Sequence, residues 1–308
     1  MHRRSNRACS TWRKFDWEGL VRAISIVVGV LFTGSAAVSG PAIGQFEVKN
    51  LNVTPGEIEF QTQNAHMFAN PERDVRNVSG EFLYDDNSVA KQRHALELEF
   101  GLTSRFKSRI GIEYEKERLD DPDNPEQAND FGSLELSEIG AEVVWVLDPI
   151  KENDWGLGLV AEYGQPRDDD EASLLLVGPI LQLDRRKWWS IINLYLVKHL
   201  GGGRPRDDKV DFAYATQFGY VLNQDWQLAL EAYGTVDRIG DTGSAGEEAL
   251  LFGDHNQHRL GPVFYYTGGL GGASSDEESS VSIGVGLLVG MNNNTPETTL
   301  KWSIEVDF

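Results

Sequence analysis

The chain has 308 residues, and 48 Asp and Glu against 28 Lys and Arg give a formal net charge of -20. That balance argues against nucleic acid as a partner, because phosphate-binding surfaces are basic. Mean hydropathy is -0.36, and past residue 45 no apolar run reaches the ~18 residues of a membrane-spanning helix. Spanning strands escape that test, because their lipid-facing and lumen-facing residues alternate and average out.

The N-terminus reads as a targeting segment. Arg3, Arg4, Arg7, Arg13, Lys14 and Arg22 form a basic stretch before an apolar core at 23–38. Small-residue cleavage sites follow at 35–37 and 42–44; the second is preferred because Gln45 opens a polar segment. Residues 1–44 are therefore expected to be a signal peptide, and 45–308 one transmembrane β-barrel domain. Cys9, the only cysteine, precedes the apolar core and leaves with the signal peptide, so no disulfide or thiol chemistry is expected.

From residue 57 onward, apolar and polar residues alternate with period two, the spacing of a strand with unlike faces. Leu96, Leu98, Phe100 and Leu102 alternate with Ala95, Glu97, Glu99 and Gly101; Ile110, Ile112 and Tyr114 alternate with Gly111, Glu113 and Glu115. The pattern predicts strands at 57–68, 92–103, 108–116, 134–147, 155–164, 172–183, 188–199, 210–221, 226–235, 255–267, 279–291 and 298–308. Most are longer than the ~5 or 6 residues of strands in soluble proteins and suit a tilted crossing of a bilayer. The fold class expected is all-β: a closed antiparallel transmembrane barrel of about twelve strands, an even number that puts both termini on the periplasmic side.

Connections at 69–91, 117–133, 200–209 and 236–254 are long and read as extracellular. Those at 104–107, 184–187 and 222–225 are short and read as periplasmic, and 268–278 breaks the trend. Trp145, Trp155, Trp188, Trp189 and Trp226 all border expected periplasmic turns, as an interfacial aromatic girdle would. The last strand presents Leu300, Trp302, Ile304, Val306 and Phe308 on one face and ends on that phenylalanine. Bacterial outer-membrane proteins end this way, and the barrel-assembly machinery reads such a strand, so Trp302 and Phe308 are candidate assembly signals. The expected location is the outer membrane, with its lipids and lipopolysaccharide as surroundings.

Strand parity then assigns the lumen. Inward carboxylates are Glu57, Glu59, Glu97, Glu99, Glu113, Glu115, Glu138, Glu142, Glu162, Glu231 and Glu305. Inward cations are Arg93, Arg109, Arg259 and Lys301; other inward groups include Gln61, Gln63, Asn193, Tyr195, Gln217, Gln227, Tyr233 and Gln257. The segment 172–183 resists assignment, being apolar on both faces from Leu174 to Leu181. Carboxylates outnumbering cations would be costly in a dry lumen, so water, bound cations or raised pKa values are expected to relieve them. The alternative is solvated rim glutamates paired to loop arginines. A wet, acidic bore would favour cations or neutral polar solutes.

No metal, cofactor or catalytic group is expected. His255 and His258 lie three apart and so on opposite strand faces, and 201–204 lacks the strand-loop-helix setting of a phosphate cradle. Val53-Thr54-Pro55-Gly56-Glu57-Ile58-Glu59-Phe60 resembles the lead-in to the first strand of the outer-membrane family labelled "MetA-pathway of phenol degradation". The hairpin from His94 to Glu115 and the run Gln257-His258-Arg259-Leu260-Gly261-Pro262 resemble further segments of that family. The resemblance implies a porin- or transporter-like conduit for an unidentified small solute and supplies no site residues. Two other classes fit twelve strands: a lipid-modifying enzyme of phospholipase or deacylase type, needing Ser and His on the outer wall or rim, and a structural or adhesive barrel.

Overall fold

A strand whose two faces differ in polarity needs different surroundings on each side, and here the backbone arranges this by closing on itself. The computed structural model describes residues 46–68, 75–78, 80–84, 91–119, 124–152, 154–167, 172–201, 210–239, 257–269, 279–292 and 295–308. The expected signal peptide with its cleavage sites and Cys9 lies outside the described residues, as do His255 and 202–204.

The barrel strands are β1 (Ile58–Phe68), β4 (Lys91–Thr103), β5 (Phe106–Glu117), β6 (Glu135–Asp148), β7 (Trp155–Pro166), β8 (Ser173–Arg185), β9 (Trp188–Leu200), β10 (Val210–Val221), β11 (Trp226–Ile239), β12 (Gln257–Gly269), β13 (Ser280–Gly290) and β14 (Thr298–Asp307). Each pairs antiparallel with its chain neighbour, and β1 closes the barrel against β14 from Glu59↔Asp307 to Phe68↔Thr298. The Phe308 amide extends that seam by donating to the Ile58 carbonyl at 3.0 Å. All twelve expected strands are present, with ends moved by a few residues; β11 runs on to Ile239 and β5 starts at Phe106. A small hairpin, β2 (Val75–Val78) and β3 (Glu81–Tyr84), was not expected; its strands are too short for alternation to reveal. A 3-10 turn at Pro125–Gln127 lies in the β5–β6 connection. No helix of the described residues is long and apolar enough to cross a membrane.

One end of the barrel carries the turns at 104–105, 186–187 and 222–225 together with Phe308; the other carries the longer loops. These are the turn end and the loop end below.

The polarity is the inverse of a soluble protein's. Ile110 is 54% exposed and Leu230 48%, with Leu196, Phe264, Val285 and Leu287 similarly bare on the outer wall, while Glu97, Arg109, Glu113 and Lys301 are buried inside. A closed barrel with an apolar exterior is the architecture of outer-membrane proteins, and this chain is one. Trp145, Trp155, Trp188 and Trp226 are exposed near the turn end, where Phe106 stacks on Trp145 and Trp226 leans on Tyr266. The expected girdle needs one correction. Trp189 follows Trp188 along one strand, so it points to the opposite face and lines the interior.

The structure also resolves 172–183. Leu176 and Ile180 point inward and are buried, Ile180 at 0% exposure, whereas Val177 and Leu181 face out. Both faces are apolar because the inner one is covered by protein.

If Ile110 and Leu230 sit at mid-membrane, Ile110→Arg or Leu230→Arg should destabilise the barrel by about 2–4 kcal/mol, with Ile110→Val close to neutral. Denaturant titration of protein folded into vesicles measures this, and equal stability of all three would refute a lipid-facing wall.

Candidate functional site

What covers the inner face of β8 is the chain's own N-terminal segment. Residues 46–53 have no regular secondary structure and run inside the bore before turning at Pro55-Gly56 into β1. Gly56 has φ +88°, the left-handed region that glycine enters without strain. Its amide donates to the Gly101 carbonyl at 2.7 Å, and the Gly101 amide donates back to Glu57 at 3.0 Å, fixing the segment's exit.

The segment is gripped by side chains from the wall. Asn193 on β9 accepts from the Lys49 amide at 2.7 Å and donates to the Lys49 carbonyl at 2.9 Å, as a paired strand would. Gln182 on β8 accepts from the Leu51 amide at 2.8 Å, and the Tyr233 hydroxyl donates to the Phe46 carbonyl at 3.1 Å. Phe46 meets the Tyr233 ring edge-on at 5.4 Å, with the Arg259 guanidinium 4.7 Å from its centroid. Leu51 occupies a notch made by Gly156 and Gly158; a Cβ on Gly158 would lie 2.4 Å from Leu51 Cδ2. Phe46 and Leu51 belong to one apolar cluster with Val144, Val160, Leu176 and Ile180, so this sector of the bore is dry and packed.

Charge is settled in the same way. Lys49 Nζ bonds Glu142 and lies 3.3 Å from Glu162 and 3.4 Å from Glu47. Arg109 bonds Glu47 and reaches Glu99 at 2.8 Å and Glu97 at 3.4 Å; Lys107 reaches Glu99 at 2.9 Å. Nearer the loop end Arg93 bonds Glu113 at 2.7 Å and also Glu115. Glu231, at 0% exposure, accepts from Lys301 at 2.7 Å, Tyr233 at 2.6 Å and Gln217 at 2.6 Å, and from Tyr265. Burial alone pushes the Glu47 carboxyl up, but Arg109 and Lys49 outweigh it and hold the group well below its ordinary range.

The structure thus places Glu97, Glu99, Glu113, Glu115, Glu142, Glu162, Asn193, Tyr195, Gln217, Glu231, Tyr233 and Arg259 inside the barrel, with Gln257 accepting from Arg259 at 2.6 Å. It does not bring them together as one ring: they form separate clusters joined by the inner segment. Parity reasoning missed Glu47, Lys49 and Gln182, and Lys107 with them. Lys107 was legible, since it shares the parity of Arg109; the segment was not, because nothing before residue 57 alternates for long enough. Beyond the inward cations expected from parity, Lys49 and Lys107 add ion pairs that take up part of the carboxylate excess.

Beside the segment, toward the turn end, a cavity of about 430 Å³ remains between Glu47, Asn50 and Asn52 and the wall. Glu59, Glu305 and Asp307 bring carboxylate oxygens within 4.8 Å of one another there, an arrangement that could hold a hard cation. On the outer wall His94 shares a hydrogen bond with Asn64 at 2.7 Å, but no serine among the described residues bonds either one.

No family model matches the chain, and no curated relative matches it. Among solved structures it is similar to the COG4313 outer membrane channel from Pseudomonas putida F1, with 10% identity and a TM-score of 0.49 over 88% of this chain and 99% of that one. It is also similar to the translocator domain of autotransporter NalP from Neisseria meningitidis, with 9% identity and a TM-score of 0.43 over 83% and 89%. A Pseudomonas aeruginosa FadL homologue follows at 8% identity and a TM-score of 0.35 over 82% and 90%.

Two outcomes test the grip on the segment. Asn193→Leu removes both bonds to Lys49, and at about 1 kcal/mol each amide exchange at Lys49 should accelerate by roughly 10- to 30-fold. Gly158→Val should do the same at Leu51; unchanged exchange in both variants would show that the segment is held elsewhere. Acid should also loosen it. Because the docked Glu47 carboxyl titrates below its ordinary value of 4.5, its contribution is full above that pH and is lost as pH falls beneath it. Exchange corrected for intrinsic rate should therefore rise below about pH 4.5, and a flat profile would remove Glu47 from the grip.

Proposed function

We propose that this protein is an outer-membrane conduit for small polar solutes, and that residues 46–53 close it from within. The observation that carries this reading is the manner of closure. Wall side chains pack part of the bore, and the rest of the filling is an extended segment held through wall side chains bonded to its backbone, ion pairs and apolar contacts at Phe46 and Leu51. Such contacts exchange readily with water and solute, so the segment can leave without unfolding the barrel. A barrel serving only as a scaffold has no need of a charged lumen with a removable filling.

The turn end faces the periplasm in this reading, because β1 begins there, β14 ends there and the shortest connections lie there. Residues 1–44 act as the export signal, and Trp302 and Phe308 belong to the strand read by the assembly machinery. The wall lining left by the departing segment stays acidic, with Glu97, Glu99, Glu142, Glu162 and Glu231 beside Lys107, Arg109 and Lys301. A low-dielectric wall magnifies that imbalance in favour of cations and neutral solutes. The likeness of 53–60 to the phenol-degradation family agrees with small-solute passage and adds nothing about which solute. No catalytic role is assigned to any residue.

Planar-bilayer recording tests the proposal. Deleting 46–52 should produce larger and more frequent conductance steps than the intact protein shows. The open form should prefer cations, and the preference should weaken in molar salt, where the Debye length falls to about 3 Å. A deletion variant that folds, judged by heat-modifiable gel migration, yet does not conduct would overturn the conduit.

A further inference from the structure

The cavity left beside the inner segment has a mixed aromatic and polar lining. Two aromatic rings form part of its wall, Trp189 and Tyr265. Each is laid against a glycine on the neighbouring strand: a Cβ on Gly219 would lie 2.1 Å from Trp189 Cε2, and one on Gly284 would lie 2.7 Å from Tyr265 Cε1. One face of each ring is therefore spent on the barrel backbone. Both side chains border the cavity, which places flat apolar surface beside a polar space.

The polar lining is incomplete in a specific way. Trp189 Nε1, a donor, and Gln63 Oε1, an acceptor, are buried and have no hydrogen-bond partner among the described residues. Both residues line the same cavity. Buried polar groups rarely stay unpaired; neither atom opens onto the cavity as the side chains stand, and a turn of the Gln63 amide would bring its oxygen to a hydroxylated ligand. Gln61, Gln217 and Gln227 surround the two with further amides. Carboxylates and cations line it together, with Glu59 and Glu305 facing Arg109 and Lys301, so a full charge of either sign meets a like charge. At about 430 Å³ the space is within the range of small-ligand pockets.

We infer that this cavity binds a neutral hydroxylated ring, of the size of a mono- or disaccharide, with its C–H face against Trp189 or Tyr265 and its hydroxyls on the amides of Gln63 and Gln227. The inference rests on the conduit reading, since it names the class of solute that would pass. It also gives the solute a means of reaching the closing segment, because Glu47, Asn50 and Asn52 form the opposite side of the cavity.

The test uses the whole mature protein in detergent, where both ends are accessible, with maltose as the probe and sodium glutamate and arginine hydrochloride as charged comparisons. Titration followed by tryptophan fluorescence and calorimetry should show saturable maltose binding and none for the charged solutes. Gln63→Leu removes the free acceptor and should weaken binding about tenfold, the scale of one lost hydrogen bond. Trp189→Leu should abolish it; if that variant fails to fold, Gln63→Leu carries the test alone. No saturable binding to folded protein, or binding unchanged by Gln63→Leu, would overturn the inference and leave a water-filled vestibule. The conduit is judged separately by swelling of liposomes holding the 46–52 deletion: swelling without saturable binding sinks only the saccharide site.

Discussion

Every other feature of this molecule depends on the seam between β1 and β14. In lipid an unpaired amide or carbonyl has no water to turn to, and each one costs several kcal/mol. An open sheet of these strands would leave two such edges. The ten register pairs from Glu59↔Asp307 to Phe68↔Thr298, extended by the Phe308 amide, remove both. Closure then dictates polarity. With the outside facing acyl chains, the polar half of every strand has only the interior to occupy.

An interior of that kind is an electrostatic problem before it is a functional one. Charges within a low-dielectric wall gain strongly from a partner and lose strongly without one. Glu142 and Glu162 face each other across β6 and β7, and among the described residues the cation bonded to both is Lys49. Lys49 arrives from outside the sheet and sits between them. The inner segment is thus part of the lumen's charge balance, and for the proposed opening its ion pairs would have to be replaced by water or solute.

Much of this was legible in the sequence. Period-two alternation marks the barrel strands other than β8 because lipid on one side and polar interior on the other enforce it, as at Leu96 to Leu102 and Ile110 to Glu115. Parity likewise sent Glu97, Arg109, Glu231 and Lys301 inward, since a one-residue slip would put a charge in the membrane. Three things were hidden. The direction of 172–183 could not be read because Leu176 and Ile180 face protein rather than water, which erases the contrast that alternation depends on. Trp189 was misplaced because nearness to a turn was weighed above parity, and parity is the stronger physical constraint. The segment 46–53 left no periodic trace at all: its fit depends on distant partners, Gln182, Asn193 and Tyr233, and on the glycines under Leu51.

Those partners bear on how the proposed closure would release. A core that is meant to stay shut maximises apolar contact, as β6 to β9 do around Val144 and Ile180. The inner segment commits only Phe46, Leu51 and the flanking Val48 and Val53 to such contact. Its remaining hold is polar, and polar bonds made inside a barrel can be exchanged one for one with those of an entering hydroxylated solute at little net change in free energy. Apolar burial offers no such exchange, because a solute carried in water cannot replace it. The division of labour follows: apolar contacts along the dry sector set which state is favoured, while the amides and charges facing the cavity set what can compete for it. A solute bordering Glu47 and Asn50 meets the polar side of the segment first, so recognition and opening would draw on the same few bonds.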